Sequence, residues 1–543
     1  RVLFRSRLQL LVLVACLLAA IHADVYLHMP RGSNNRLSEA SVNRANANRL
    51  FDSQNNNKGG YNVGIGAGSA QQNEELYTGS KYQFEWTNQH GCGNNPNVRC
   101  EVVVQYMCDD ATSTDIRDGT TTNTPSLNAP ADANNDQATG RHETREFYKA
   151  CSNRERNKGL FIADRKLNGN TAIFTRQNNN GQRRGFECPE ERDYYPYWHP
   201  SAWRDLAILT YNTSRCDLYR AQSQNVMSKG ICSTTAQDTA NGATIDWTKV
   251  TGDNNAFDCA KNGNNWVAIK SWGIAAPECK LAPWSRDNHN GNGARGYPNT
   301  YDFNIMSVSA DQKCVFRERY NISTADYDGW TVDSKSNGAK SPVKNNPIVD
   351  IGIRQGLKLA INTAQFGRTF QDRSHTMVVK ERTASLANAV IRNINVRGKR
   401  GNIVQVYPAV EYDFVPMNAT VKADEYVHFQ WTGSNTNPNG NDGQGTAGTD
   451  RSNVVQMAYR DDNFFLPMEK ATMWKASGAD SAADIALKMA SNDKGNGAQK
   501  QLNNADPYYN QPPMLLNTGT HHYQCTRNNN FSNRSQKGSI VVG

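Results

Sequence analysis

The chain has 543 residues, a hydrophobic content of 37% and a formal net charge of +9. Its length argues against a single compact core and favours about two to four domains. The basic residues are scattered along the chain, so composition and charge argue against nucleic acid as a partner.

The amino terminus has the pattern of a secretory signal. Residues 1–23 join three arginines to an apolar run over residues 8–20. The run is too short to span a bilayer comfortably, so residues 1–23 are predicted to be a signal peptide cleaved after Ala23. An uncleaved signal anchor is the alternative. No second apolar run is long enough to cross a membrane, which predicts a secreted protein without a membrane span.

Residues 24–74 are rich in asparagine and show almost no apolar periodicity. Asparagine hydrogen-bonds to its own backbone and favours turns and loops over helix interiors. We therefore predict an Asn-rich extended arm, or a set of ordered loops, with disorder as the alternative.

Residues 75–345 contain ten cysteines, an even number that indicates disulfides in an oxidising compartment. Cys100 and Cys108 flank a strand-like run and are too far apart to pair with each other. Pairing cannot otherwise be deduced from the sequence, and five bridges would use the whole set. The cysteines are Cys92, Cys100, Cys108, Cys151, Cys188, Cys216, Cys232, Cys259, Cys279 and Cys314. This stretch is predicted to be a disulfide-rich β region.

A short phrase occurs twice in the chain. Phe84-x-Trp86-Thr87 and Phe429-x-Trp431-Thr432 both lie in alternating apolar and polar runs, which predict strands with one buried face. A valine-rich strand follows each phrase. Two β-domains built on one plan would explain the repetition, and a chance match is the alternative.

Aromatic residues cluster in the run DYYPYWHPSAW, which contains Trp198 and Trp203. Exposed aromatic rings can stack on sugars, so these two tryptophans are candidates for glycan binding. The alternative is an irregular core patch under loops.

Residues 346–401 are interpreted as a connecting segment. It ends in Arg397-Gly398-Lys399-Arg400, which resembles a furin-type processing site. An ordinary basic loop is the alternative. A strand-rich unit starts directly afterwards, so a domain boundary is predicted there.

Residues 402–543 contain about seven predicted strands and one helix near residues 480–491, a pattern typical of a Greek-key sandwich. The ending Gly519-Thr520, Tyr523, Cys525 and KGSIVVG resembles that of a cupredoxin. The predicted fold is therefore mainly β and multi-domain, with a cupredoxin-like sandwich after the disulfide-rich region. That region could itself hold two domains, the first of them cupredoxin-like.

The cupredoxin resemblance raises the question of copper. A blue-copper site needs two imidazoles, a thiolate and usually a thioether. Cys525 would supply sulfur, but Asn528 stands where the resemblance implies a histidine, and no methionine follows. The remaining histidine candidates are His428 and His522. We predict no blue-copper site and no cofactor, with Cys525 as a small buried group and the Asn-rich loop after it organising that end.

Three longer phrases extend the resemblance to the whole chain: MPRGSNNRL, NRLFDSQNNNKGGYNVG and TRNNNFSNRSQKG. They resemble a family of exported, Asn-rich developmental proteins first described in a social amoeba and also found in invertebrates. The resemblance implies export and a cupredoxin-like end, without an established catalytic activity.

These features predict a secreted, glycosylated, non-catalytic extracellular, matrix or surface protein whose partners are extracellular proteins or glycans. The alternatives are a carbohydrate-binding module and a copper-dependent oxidoreductase. Glycosylation is expected wherever a sequon is exposed. The sequons stand at Asn212, Asn321, Asn418, Asn530 and Asn533.

Overall fold

A computed structural model describes the greater part of the chain. The described residues are 25–32, 73–88, 91–93, 96, 98–112, 161, 195–197, 199–239, 245–285, 293–325, 327–328, 331–343, 348–360, 368–398, 412–433, 451–495, 497–526 and 536–543. Within these ranges, no helix has the length and hydrophobicity needed to cross a bilayer. The predicted signal peptide and most of the predicted arm lie outside them.

The described part of the chain is mainly β-structure. Its strands are β1 (Val25–Met29), β2 (Glu74–Tyr77), β3 (Lys81–Asn88), β4 (Val98–Asp110), β5 (Arg204–Thr210), β6 (Lys229–Ser233), β7 (Asn265–Ile269), β8 (Glu278–Leu281), β9 (Asn299–Asn304), β10 (Gln312–Thr324), β11 (Ile348–Asp350), β12 (Lys358–Ala360), β13 (Arg368–Arg373), β14 (Met377–Lys380), β15 (Ile391–Val396), β16 (Phe414–Val415), β17 (Asn418–Val421), β18 (Tyr426–Trp431), β19 (Val455–Met457), β20 (Tyr509–Asn510), β21 (Gly519–Gln524) and β22 (Lys537–Val542). Its α-helices are α1 (Cys216–Gln222), α2 (Ala256–Lys261) and α3 (Ala482–Ser491).

One sheet of seven strands runs through both halves of the chain. Its order is β1-β3-β15-β18-β20, with β9 on β3 and β16 on β15. Strand β15 is the link, because it runs parallel to β18 and also pairs with β3 at Arg392. Two sandwiches therefore share a sheet, and we call the region around β15 the seam.

In the first sandwich, a second sheet packs against the part of the shared sheet that contains β1 and β3. The strand order of this second sheet is β2-β14-β10-β4-β5-β8, and β13 pairs with β10. Alternation along β3 places Phe84 and Trp86 in the core, as the sequence predicted. Phe316 and Tyr320 reach the same core from β10. The core therefore lies between the shared sheet and the long β4–β10 pair.

The second sandwich closes the β18 end with the sheet β17-β22-β21-β19. Phe429 and Trp431 pack in its core with Tyr523 of β21. Helix α3 covers this core with Ile485 and Met489 among its buried residues. It begins after Ser481, whose side chain caps it in a capping box, close to the start predicted from the sequence.

The two sandwiches follow the same plan. In the first, β2 and β14 are parallel, and β14-β10-β4 continue antiparallel. In the second, β17 and β22 are parallel, and β22-β21-β19 continue antiparallel. Strands β3 and β18, which carry the repeated phrase, occupy corresponding places in the shared sheet. The repetition in the sequence thus corresponds to a repetition of topology.

The described residues form four disulfides, all within the predicted disulfide-rich region. They are Cys92–Cys100, Cys108–Cys314, Cys216–Cys279 and Cys232–Cys259. Cys100 and Cys108 do not pair with each other, as predicted. Cys151 and Cys188 lie outside the described residues, so the predicted fifth bridge stays a prediction.

Two predicted segments differ from the structure. The start of the predicted arm is strand β1, which is completely buried against β3. The predicted connecting segment contains β13 and β14 of the first sandwich and β15 of the shared sheet. Strand β15 interleaves polar with apolar residues. Its Asn393 and Asn395 are buried and bond to Ser80 and Glu74, which lie far earlier in the sequence.

Candidate metal centre

Cys525 lies at the end of the second sandwich, directly after β21. Its side chain is buried in the core with Tyr523 and Ile540, as predicted for a small buried group. Its backbone N–H donates to the carbonyl oxygen of Gln536, at 3.0 Å. Cys525 belongs to none of the four described disulfides. A metal bound by its sulfur would therefore have to find its other ligands in this core.

His428 lies on the face of β18 that points away from that core. Its neighbours Val427 and Phe429 pack in the second sandwich with Cys525, and side chains alternate along a strand. The imidazole is fully buried at the seam instead, with Nε2 2.6 Å from Asn510 Oδ1 and Nδ1 3.1 Å from Asn393 Oδ1. Burial lowers the pKa of His428 to about 4, so the ring is neutral and acts as a structural link.

The histidines of β21 do not complete a site either. His521 Nε2 lies 2.8 Å from the carbonyl oxygen of Asn517. His522 is on the opposite face, with Nδ1 2.8 Å from Ser539 Oγ on β22. Burial, followed by the nearby Arg460 charge, lowers the pKa of His522. The structure thus separates the candidate ligands Cys525, His522 and His428 onto different faces.

Amide side chains hold together the end of the sandwich next to Cys525. Asn453 Nδ2 donates to Thr526 Oγ1 at 2.9 Å and to Ala490 O at 2.8 Å. Its Oδ1 accepts from the Thr526 backbone N–H at 2.8 Å. Asn453 thereby joins the end of β21, the start of β19 and the end of α3. The predicted organiser, the Asn-rich loop over residues 527–535, lies outside the described residues.

The donor set does not fit a blue-copper centre. Over the described ranges, no group of three His, Cys, Asp or Glu side chains is close enough to hold a metal ion. Cys525 is buried in an apolar core. Both nitrogens of His428 already have polar partners, which are Asn510 at Nε2, and Asn393 and Gln430 at Nδ1. No redox step can be derived through copper at this position.

The seam itself is built from buried polar groups. Gln430 of β18 donates to the carbonyl oxygen of Glu75 at 2.6 Å and accepts from its backbone N–H at 2.9 Å. Asn395 Nδ2 of β15 donates to the Glu74 carboxylate at 3.1 Å. These bonds run from one sandwich to the other, and buried polar groups need such partners. They fix how the two sandwiches sit on their shared sheet.

Glu74 makes this seam sensitive to pH. Burial raises the pKa of its carboxyl from 4.5 to about 8, although the Arg31 charge opposes the shift. Because the folded-state pKa is raised, the group's contribution to stability is complete below pH 4.5 and is lost as the pH rises towards 8. The carboxyls of Glu101 and Asp413, whose pKa values burial raises to about 7, act with the same sign.

Glu74→Gln is therefore expected to flatten the fall in unfolding free energy between about pH 5 and pH 8. The matched control is Glu469→Gln, at an exposed glutamate in the second sandwich, which should leave the slope unchanged. Urea denaturation at several pH values measures the slope. Glu101 and Asp413 should leave a residual slope in the variant, and a slope equal to that of the wild type would contradict the assignment.

The predicted processing motif begins at a buried residue. Arg397 Nη1 lies 2.9 Å from Glu85 Oε1, with side chains only 3% and 8% exposed. A protease would have to open this contact to reach Arg397 in the folded protein. Lys399 and Arg400 lie outside the described residues, so cleavage at this motif stays a prediction.

The predicted sugar-stacking tryptophans do not form an exposed platform. Trp203 is 1% exposed and packs with Met107 and Val315, while the Arg317 guanidinium lies 4.2 Å from its ring centroid. This burial does not fit stacking on a ligand and agrees with the alternative of a core patch under loops. Trp198 lies outside the described residues.

The sequons differ in their surroundings. Asn418 is exposed at the start of β17. Asn212 is half-buried, and its side chain accepts from the Ser214 N–H at a turn. Asn321 is half-buried in the middle of β10, paired with β4 and β13. Asn530 and Asn533 lie outside the described residues.

Comparison with known families agrees with this architecture. The model of the DD3-3 N-terminal domain matches residues 23–379, well over half of the chain. The chain belongs to the DD3-3 family. The model of the DD3-3 cupredoxin-like domain matches residues 389–542, which confirms the cupredoxin-like end predicted from the sequence. No curated protein matches the chain.

The second family match begins before the boundary predicted at residue 402. It includes β15, whose Ile394 and Val396 pack in the core of the second sandwich. Sequence reasoning also missed Asn453 and the seam asparagines. Asn453 directly precedes two valines, the second of which begins β19, and this strand pairs with β21. A prediction of that pairing would have placed its amide near the end of β21.

Proposed function

We propose that this protein is an exported, glycosylated, non-catalytic scaffold that works outside the cell, as a matrix, surface or secreted protein. One observation carries the proposal: β18 directs His428 away from the core that contains Cys525. A cupredoxin-like sandwich with that arrangement keeps its shape through hydrogen bonds and apolar packing instead of metal ligation. Its partners are extracellular proteins or glycans.

Export is supported by the cysteines and by the family match. Disulfides form and persist in oxidising compartments, and the described part of the chain contains four. The match to the DD3-3 N-terminal domain begins at residue 23, beside the predicted cleavage after Ala23. Glycosylation is supported by the exposure of Asn418 in its sequon.

The first test is metal analysis of the full-length protein purified from culture medium. We expect less than one copper per ten chains, before and after incubation with Cu(II) followed by desalting, and no thiolate-to-copper absorption band. The imidazoles of His428 and His522 lie on other faces than Cys525, and His521 is four positions away along β21, with its Nε2 2.8 Å from the Asn517 carbonyl oxygen. Cys525→Ala should give the same spectrum and metal content as the wild type. A blue, stoichiometrically loaded protein whose colour is lost in Cys525→Ala would overturn the proposal.

A further inference from the structure

A groove of about 530 Å³ opens at the seam between the two sandwiches. It is lined by β3 and β9 from the first sandwich and by β15 and β17 from the second. Its volume falls within the range of about 300–1,000 Å³ that is usual for small-ligand sites. Among the described strands, β9 pairs only with β3, and β17 pairs only with β22. The groove therefore lies between two strand edges that need cover.

The lining of the groove suits a neutral saccharide. Gln83 Nε2 donates to Asp302 Oδ1 at 2.8 Å in an exposed pair, which offers both donors and acceptors to hydroxyl groups. Phe303 is half-buried and lines the groove while packing against the first core, so it adds apolar surface beside this polar pair.

The charges around the groove do not favour an ionic ligand. Its charged lining consists of two cations, Lys81 and Arg392, and two anions, Glu278 and Asp302. Lys81 and Arg392 also pair with Glu425, at 3.4 Å and 2.5 Å, and Glu278 pairs with Lys280 at 3.1 Å. A balanced, hydrogen-bonding lining of this kind discriminates little by charge, so hydroxyl and amide groups are the chemistry it can recognise.

Asn418 lines the same groove. It is exposed, as is Thr420 of its sequon. Its Oδ1 accepts a hydrogen bond from Arg460 Nη1, and Nδ2 makes no hydrogen bond among the described residues. N-glycosylation modifies Nδ2 and leaves the carbonyl oxygen as an acceptor. Arg460 can therefore hold the amide in place while a sugar on Nδ2 enters the groove.

We propose that this groove is a saccharide-binding site occupied by the first sugars of a glycan on Asn418. The inference rests on the proposed function, because it requires export and glycosylation. The glycan would cover the edges of β9 and β17 and join the two sandwiches across the seam. Asn212 and Asn321 do not line the groove, so a glycan on either residue would lie outside it.

The first experiment measures how accessible the glycan is. Full-length protein from culture medium is treated with an endoglycosidase in its native state, and each site is followed by glycopeptide mass. We expect release from Asn418 to be about tenfold slower in the native than in the denatured protein, because the fold protects it. The double variant Gln83→Ala, Asp302→Ala keeps the sequon and should lose most of this protection. Equal release from native and denatured protein would overturn the assignment.

The second experiment distinguishes the chain's own glycan from a free saccharide. Hydrogen exchange of β9 is compared in the wild type, Asn418→Gln and the control Asn212→Gln. We expect exchange in β9 to be about tenfold faster only in Asn418→Gln, and added N,N′-diacetylchitobiose to restore protection in that variant without affecting the wild type. Protection of the wild type by the added sugar would show a groove open to free saccharide and would overturn occupancy by the Asn418 glycan.

The two proposals fail in different ways. Secreted protein with an unmodified Asn418 would overturn the glycan in the groove and leave the exported scaffold standing. Blue, copper-loaded protein with a protected Asn418 glycan would overturn the scaffold and leave the groove assignment standing. Protein that stays inside the cell would overturn both.

Discussion

Replacing both Cys108 and Cys314 by alanine is expected to lower the unfolding free energy by about 5 kcal/mol, the largest effect of any change considered for this protein. This disulfide joins β4 to β10, the two long strands at the centre of the first sandwich's second sheet, and its cysteines are 206 residues apart in the chain. In the loop-entropy account, such a long closed loop restricts the unfolded chain strongly.

The matched control is the double replacement of Cys92 and Cys100, which are only 8 residues apart. The same account gives a loss of about 2–3 kcal/mol there. The disulfide Cys216–Cys279 lies inside the longer loop and shortens the length of unfolded chain that this loop encloses. This reduces the difference in unfolding free energy between the two variants by only a few tenths of a kcal/mol. Guanidinium denaturation followed by tryptophan fluorescence measures both losses. Equal losses in the two variants would show that loop length does not set the contribution of these bridges.

The sequence predicted well those features that depend on local alternation. The Phe84–Trp86 and Phe429–Trp431 phrases predicted two strands and their buried faces, because apolar and polar residues alternate along a half-buried strand. Their repetition also predicted that the two sandwiches share one plan. The helix predicted near residues 480–491 depended on similarly local signals, and α3 begins after Ser481. Cys525 was predicted to be buried because no ligand set surrounded it in the sequence.

The seam could not be predicted in the same way. Asn393 and Asn395 make the run of β15 look like an exposed linker, yet both are buried by residues about three hundred positions earlier, Ser80 and Glu74 among them. The sequence shows which hydrogen bonds a polar side chain can make, but it does not show which residue will be its partner. His428 is a similar case, since alternation places it opposite Phe429 but cannot show that a second sandwich covers that face.

Arg397 is a buried cation at the seam that contacts two buried carboxyls. Its guanidinium lies 2.9 Å from Glu85 of β3 and 3.9 Å from Asp413, just before β16. All three side chains are at most 8% exposed. Burial raises the pKa of Asp413 to about 7, and the Arg397 charge opposes that shift. Removing the guanidinium leaves two buried carboxyls without their main counter-charge.

Arg397→Met, which keeps the length of the side chain, is therefore expected to cost about 3–5 kcal/mol of unfolding free energy. The loss should grow as the pH rises from about 5 to 8, because the pKa values of the two carboxyls rise without their cation and the folded state must keep protons that the unfolded chain releases. Urea denaturation at several pH values measures both effects.

Two further variants test whether the loss comes from unpaired buried charge. Adding Glu85→Gln to Arg397→Met removes one of the stranded carboxylates and should recover at least about 1 kcal/mol in a double-mutant cycle. Lys494→Met breaks a comparable contact, 3.0 Å from Asp506, between side chains that are 27% and 41% exposed, and should cost at most about 1 kcal/mol. If Arg397→Met costs no more than Lys494→Met, the ion pair does not hold the two sandwiches together, and β15 with its asparagines carries the seam alone.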